Sequence, residues 1–165
     1  MRDRVRIDSM KFARQAGQLR GTLAVADLPR LHDALFDPSG ELTYGLTGTV
    51  DKDGVAFLRL DIAGALQRTC QRCLGPVEFN LSTSRKFELV PADRELGDPA
   101  EEPVDIERIH ADANLDVQTL VEDEAILGLP MMARHDPGQC TEFPVFRQES
   151  EQNSPFDSLS TLKRQ

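Results

Sequence analysis

Cys70 and Cys73 stand two residues apart in Thr69-Cys-Gln-Arg-Cys-Leu-Gly-Pro76, and His135 and Cys140 follow far downstream. Two thiolates at that spacing on a turn point their sulfurs the same way and bite one Zn²⁺. A His and a Cys from a second loop would complete a Cys₃His tetrahedron that uses all three cysteines of the chain. Four protein ligands close a zinc site, so the role expected for one Zn²⁺ at Cys70, Cys73, His135 and Cys140 is structural. Gly75, Pro76, Pro137 and Gly138 supply turn residues beside these ligands. Other readings stay open: plain reduced thiols at a turn, zinc held only weakly, or a redox pair. Redox chemistry prefers the start of a helix in a βαβ unit, which nothing here provides.

Other catalytic patterns are missing. The chain has no glycine-rich phosphate loop, no Gly-x-Ser-x-Gly elbow and no His-Glu-x-x-His pair. Glu122, Asp123 and Glu124 are consecutive, and neighbours on a helix point in different directions. They predict a solvated face with one buried, paired carboxylate rather than a cation site. Arg68, Arg72, Arg85 and Lys86 stand against Glu78 alone over residues 66–86. Together with Arg2, Arg4, Arg6, Lys11 and Arg14 they are candidates for one RNA-facing basic surface, and scattered solubilising charge is the plainer reading.

Stepping outward, 165 residues suffice for one domain with a real core and some tail. The net charge is −9, unevenly spread. Residues 1–20 carry six basic and two acidic side chains, whereas residues 92–125 carry twelve acidic and two basic. Phosphate affinity needs clustered Lys and Arg, so the balance opposes a protein coated for nucleic acid, and no DNA partner is expected. An acidic surface steers basic partners, such as ribosomal proteins, over long range; a loop that serves solubility is the alternative. Eight Phe, one Tyr and no Trp make a poor base-stacking platform. No apolar run approaches a membrane span, and no secretory pattern follows the basic N-terminus, so a cytoplasmic address is expected.

The elements that must position these residues are short. Residues 1–8 read as a strand or arm, with a helical turn or two from Asp8 to Gly17. Leu28, Leu31, Leu35 and Phe36 predict an amphipathic helix over 27–36, with Pro29 in its first turn and Pro38 beyond its end. Residues 41–90 alternate apolar and polar and predict four or so antiparallel strands, with a hairpin at Asp53-Gly54 and the cysteines at a turn. Pro91–Pro103 predicts an exposed loop. Residues 116–129 predict the clearest helix, capped by Asp116 and ended by Pro130, with Val117, Leu120, Val121, Ala125 and Leu127 on one face. Glu124 falls within that face and needs a basic or hydrogen-bonding partner, or a place at the solvent edge, and Ile126 opposite implies a covering element. The expected architecture is a single α+β domain over 1–150, mainly antiparallel sheet with a few short helices, an acidic loop near 92–104 and a 151–165 tail.

Three blocks together resemble the YceD family, the large ribosomal RNA subunit accumulation proteins. They are Thr69–Pro76, Leu120–Pro130 with His135-Asp136 and Cys140 behind it, and Ser154-Pro-Phe156 through Leu159 to Leu162-Lys-Arg164. Their order and spacing span nearly the whole chain. The resemblance implies a bacterial cytoplasmic protein acting in synthesis, processing or stability of 23S ribosomal RNA, with no catalytic residue to carry over. The mechanism expected is a non-enzymatic biogenesis factor that contacts ribosomal RNA or a basic large-subunit protein. The RNA-facing candidates are Arg4, Arg6, Arg68, Arg72, Arg85 and Lys86. Runner-up readings are an acidic chaperone-like binder of a basic ribosomal protein and, behind it, a zinc-dependent RNA-processing enzyme. Candidate partner contacts are Glu101 and Glu102 in the acidic loop and Phe156, Leu159 and Leu162, spaced for a short amphipathic segment.

Overall fold

The computed structural model describes residues 4–98, 100 and 105–140. Glu101, Glu102, Phe156, Leu159 and Leu162 lie outside the described residues. The order of elements is β1 (Arg6–Ile7), α1 (Ser9–Arg14), β2 (Gln18–Ala24), a 3₁₀ turn (Val25–Asp27), α2 (Pro29–His32), β3 (Glu41–Val50), β4 (Ala56–Thr69), β5 (Pro76–Val90), β6 (Ile106–His110), β7 (Leu115–Asp116) and α3 (Val117–Leu127).

The sheet is built around one long hairpin. β4 and β5 pair antiparallel without a break from Phe57↔Glu88 to Thr69↔Pro76. β3 joins β4 antiparallel through a turn in which the Asp51 carboxylate accepts the N–H groups of Asp53 and Val55. Gly54 takes φ +83 there, a conformation that glycine reaches without a Cβ clash. β2 extends the sheet beyond β3, and β6 lies parallel to β5 at the other edge, giving the order β2-β3-β4-β5-β6. β1 and β7 make a separate two-stranded pair. The class is the α+β, mainly antiparallel domain that the alternation implied. Residues 41–90 hold three long strands rather than four; of the two edge strands, β2 alternates exposed and half-buried residues, whereas β6 alternates only weakly.

One face of the sheet carries the core. Successive strand side chains alternate between faces, so Leu42, Leu46, Leu58, Leu60, Ile62, Leu66, Leu81 and Phe87 all point inward. α1 packs on β3 and β4, and α3 packs on β4 and β5. Both N-caps are the aspartates that precede them: Asp8 accepts from the Lys11 N–H at 2.9 Å and Asp116 from the Thr119 N–H at 3.1 Å. The helix expected over 27–36 is a single turn, because the Phe36 N–H leaves it to bond the Gln67 carbonyl of β4 at 2.8 Å. Leu28 and Leu31 are fully buried and Phe36 is half exposed.

α3 is rotated from the expected face. Val117, Val121 and Ala125 meet the sheet at i, i+4 spacing, and Leu127 is 63% exposed. Gly128 explains the setting, since a Cβ there would stand 2.8 Å from Leu81 Cδ1. Ile126 is partly buried and packs against the core.

Gly48 sets how closely α1 approaches β3. A Cβ at Gly48 would lie 2.6 Å from Ala13 Cα and 2.7 Å from the Phe12 carbonyl, both rigid backbone. Gly48→Ala should therefore push α1 off the sheet and cost about 1–3 kcal/mol, read as a lowered urea midpoint with an unchanged far-ultraviolet spectrum.

Candidate metal centre

The centre forms at the tip of the β4–β5 hairpin because β4 ends on Thr69 and β5 begins on Pro76. Between them the Leu74 N–H bonds the Cys70 carbonyl and the Cys70 N–H bonds the Gly75 carbonyl, each at 2.9 Å. Leu74 takes φ +60 to close this turn, an unusual conformation for a branched side chain. The downstream half arrives after α3 in a stretch without regular structure and is stitched to the tip. The Gln71 N–H bonds the Ala133 carbonyl at 2.9 Å, and Arg68 Nη1 donates to the Pro130 carbonyl at 3.2 Å.

Cys70, Cys73, His135 and Cys140 then present four donor atoms within 4.8 Å of one another. The Cys70 and Cys140 sulfurs are 3.8 Å apart, and His135 Nδ1 lies 3.4 Å from Cys73 Sγ and 3.7 Å from Cys140 Sγ. Two sulfurs bound at zinc distance on a tetrahedron are separated by about 3.8 Å, and a disulfide needs about 2.05 Å. His135 Nε2 donates to the Pro76 carbonyl at 2.8 Å, so the neutral ring turns an unprotonated Nδ1 toward the sulfurs. The donor set and its edges fit a tetrahedral metal ion.

Two of the three thiols, Cys70 and Cys140, are prepared for deprotonation. The backbone N–H of Cys73, joined by those of His135 and Arg72, outweighs burial and pulls Cys70 down to about 5. Burial pushes Cys140 up, but the Arg72 guanidinium and His135 more than offset it. The Gly75 N–H favours the Cys73 thiolate, yet burial and its sulfur neighbours leave that thiol raised. His135 is raised, first by Cys140 and then by the Pro76 carbonyl.

The basic candidates do not form a common surface. Arg68 is buried, because strand alternation puts it on the inner face between Leu66 and Cys70. Arg72 donates through Nε to Cys140 Sγ at 2.9 Å. Arg4 and Arg6 both approach Asp116, Arg85 approaches Glu124 at 3.4 Å, and Lys86 sits 3.9 Å over the Phe57 ring. Arg68 pairs opposite Val77, whereas Arg85 lies eight residues further along β5, about 27 Å at 3.4 Å per residue. One basic face uniting them is not what the fold builds.

The acidic triplet also departs from expectation, since two of its carboxylates are buried. Glu122 accepts the Arg30 N–H in the first turn of α2 at 2.7 Å, and Asp123 pairs with the Arg30 side chain. Glu124 faces Arg85, and one of its oxygens makes no hydrogen bond among the described residues. On the uncovered face of the sheet an open trough of about 790 Å³ is lined by small and hydroxyl side chains, including Thr22, Thr43, Gly45, Ser82 and Ser84.

A family model described as "Large ribosomal RNA subunit accumulation protein YceD" matches residues 58–163, which include all four donors. The chain belongs to the YceD family. A Haemophilus influenzae protein of that description is 25% identical over 167 residues, covering 96% of this chain and 94% of the relative. No solved structure matches. No helix among the described residues of this YceD chain is long and apolar enough to cross a membrane.

Burial pushes the Glu124 carboxyl up from 4.5, with Glu107 adding to the rise and Arg85 opposing it. The folded chain therefore holds a proton there more tightly than the unfolded chain does. This contribution to stability is full below the unfolded value and is lost as pH rises through the raised one. Glu124→Gln should flatten the dependence of the melting temperature on pH between 4.5 and neutrality.

Proposed function

We propose that this chain is a non-enzymatic cytoplasmic factor that supports accumulation of 23S ribosomal RNA, with one structural Zn²⁺ fastening its hairpin tip. The observation that carries this reading is the four-donor centre within a chain of a family named for ribosomal RNA accumulation. A catalytic zinc keeps a position open for water or substrate, and four protein donors leave none. That supports a scaffold over a zinc-dependent RNA-processing enzyme. When bound, the ion would supply a crosslink between the β4–β5 turn and the segment after α3.

We further propose that the factor reaches the RNA through a basic large-subunit protein. The supporting observation is that Arg4, Arg6, Arg68, Arg72, Arg85 and Lys86 are each engaged within the chain. Phosphate binding draws on free, clustered cations, and these are neither. The acidic stretch over 92–125 would steer a basic partner, with Glu101, Glu102, Phe156, Leu159 and Leu162 as candidate contacts.

Metal analysis and X-ray absorption of the purified full chain should find one zinc with three sulfur neighbours near 2.3 Å and one nitrogen near 2.0–2.1 Å. An oxygen in the fourth position would overturn the scaffold reading, and absence of metal would overturn the zinc. Chelation should raise amide exchange at Gln71 and Leu74 while leaving the β3–β5 core protected.

Depletion of the chain in growing cells should lower the ratio of 23S to 16S ribosomal RNA; an unchanged ratio would sink the proposed process. A tagged chain should retain a basic ribosomal protein after nuclease treatment and lose it at high salt. Recovery of RNA alone would instead favour direct contact.

A further inference from the structure

Arg72 has a task at the metal centre that its charge alone would not reveal. Cys70 receives the backbone N–H groups of Cys73 and Arg72 in the turn and of His135 in the downstream segment, and Cys73 receives that of Gly75. Among the described residues, the hydrogen-bond donor nearest the Cys140 sulfur is the Arg72 side chain, its Nε 2.9 Å away. The same guanidinium extends Nη2 toward the Asp136 carbonyl at 3.5 Å. Arg72 thus reaches from the hairpin turn to both ends of the segment that delivers the last two ligands.

From this geometry we infer that Arg72 is the positioning residue for Cys140, holding its sulfur in place and offsetting the negative charge of a loaded Cys₃His centre. The inference rests on the zinc reading above. Three thiolates and a neutral imidazole around Zn²⁺ leave one net negative charge, and one guanidinium balances it. An N–H donor on a ligating sulfur withdraws electron density, so the sulfur is a poorer nucleophile and slower to take up the proton that would release it from the metal. The planar fork of arginine addresses a sulfur and a carbonyl from two fixed, separated nitrogens, whereas lysine offers its three donors from one nitrogen on a flexible stem. The role also accounts for an arginine placed between the two cysteines of a turn whose remaining polar work is done by backbone groups.

The test compares the wild-type full chain with Arg72→Gln and Arg72→Lys, all loaded with zinc and of verified fold and metal content. Zinc transfer to 4-(2-pyridylazo)resorcinol at fixed pH should be about 10–100-fold faster for Arg72→Gln, with Arg72→Lys in between. Iodoacetamide labelling read by mass spectrometry should show Cys140 becoming selectively more reactive than Cys70 and Cys73. Equal transfer rates, or equal acceleration at all three cysteines, would overturn the assignment, the latter marking a general loosening of the turn. A wild-type chain that holds no zinc would overturn the zinc reading and this inference with it. Zinc held with unaltered kinetics in the variants overturns the role of Arg72 alone.

Discussion

The segment from Pro130 to Cys140 is held in place by one convergence: it shares a four-donor centre with the β4–β5 turn. That segment has no helix or strand of its own, so its backbone polar groups must be satisfied elsewhere. Arg68 and Gln71 take the Pro130 and Ala133 carbonyls, and His135 reaches the Pro76 carbonyl. The sulfurs then meet at tetrahedral spacing. The long hairpin makes this possible, because an unbroken ladder from Phe57 to Thr69 fixes where its tip lies relative to α3.

The same economy governs charge. Glu122, Asp123 and Glu124 follow one another on α3 yet serve three separate purposes: a backbone N–H of α2, the Arg30 side chain and Arg85. Helical geometry sends them in different directions, and two of those directions lead into the protein. A carboxylate buried without a partner would cost several kcal/mol, so the placement of Arg30 and Arg85 is a condition for α3 to dock at all. Basic residues that look free in the sequence are thereby committed to the fold.

Local signals were legible where physics is local. Asp116 was identifiable as a cap, Gly54 as the hairpin residue, and the alternation of β3, β4 and β5 as sheet, since each depends on neighbours within a few residues. β6 carries little alternation, whereas β2 does alternate, with Leu19, Gly21 and Leu23 half-buried, each after an exposed residue, and it was its pairing with β3 that depended on the tertiary fold. The one-turn α2 was overread as a longer helix, since apolar spacing cannot show that Phe36 is drawn away by Gln67. The rotation of α3 was equally hidden, for it follows from the close approach of Gly128 to Leu81.

The spacing Cys70-x-x-Cys73 with His135 and Cys140 was enough to nominate the donors, and the three motif blocks were enough to place the chain in its family. What only the tertiary structure decided is which side chains stand together. It brought His135 across 62 residues to Cys73 and Arg72 across 68 to Cys140, and it turned Arg68 inward. A sequence records side-chain chemistry and short-range periodicity. Contacts this distant are set by strand register and helix packing, which depend on the whole core at once.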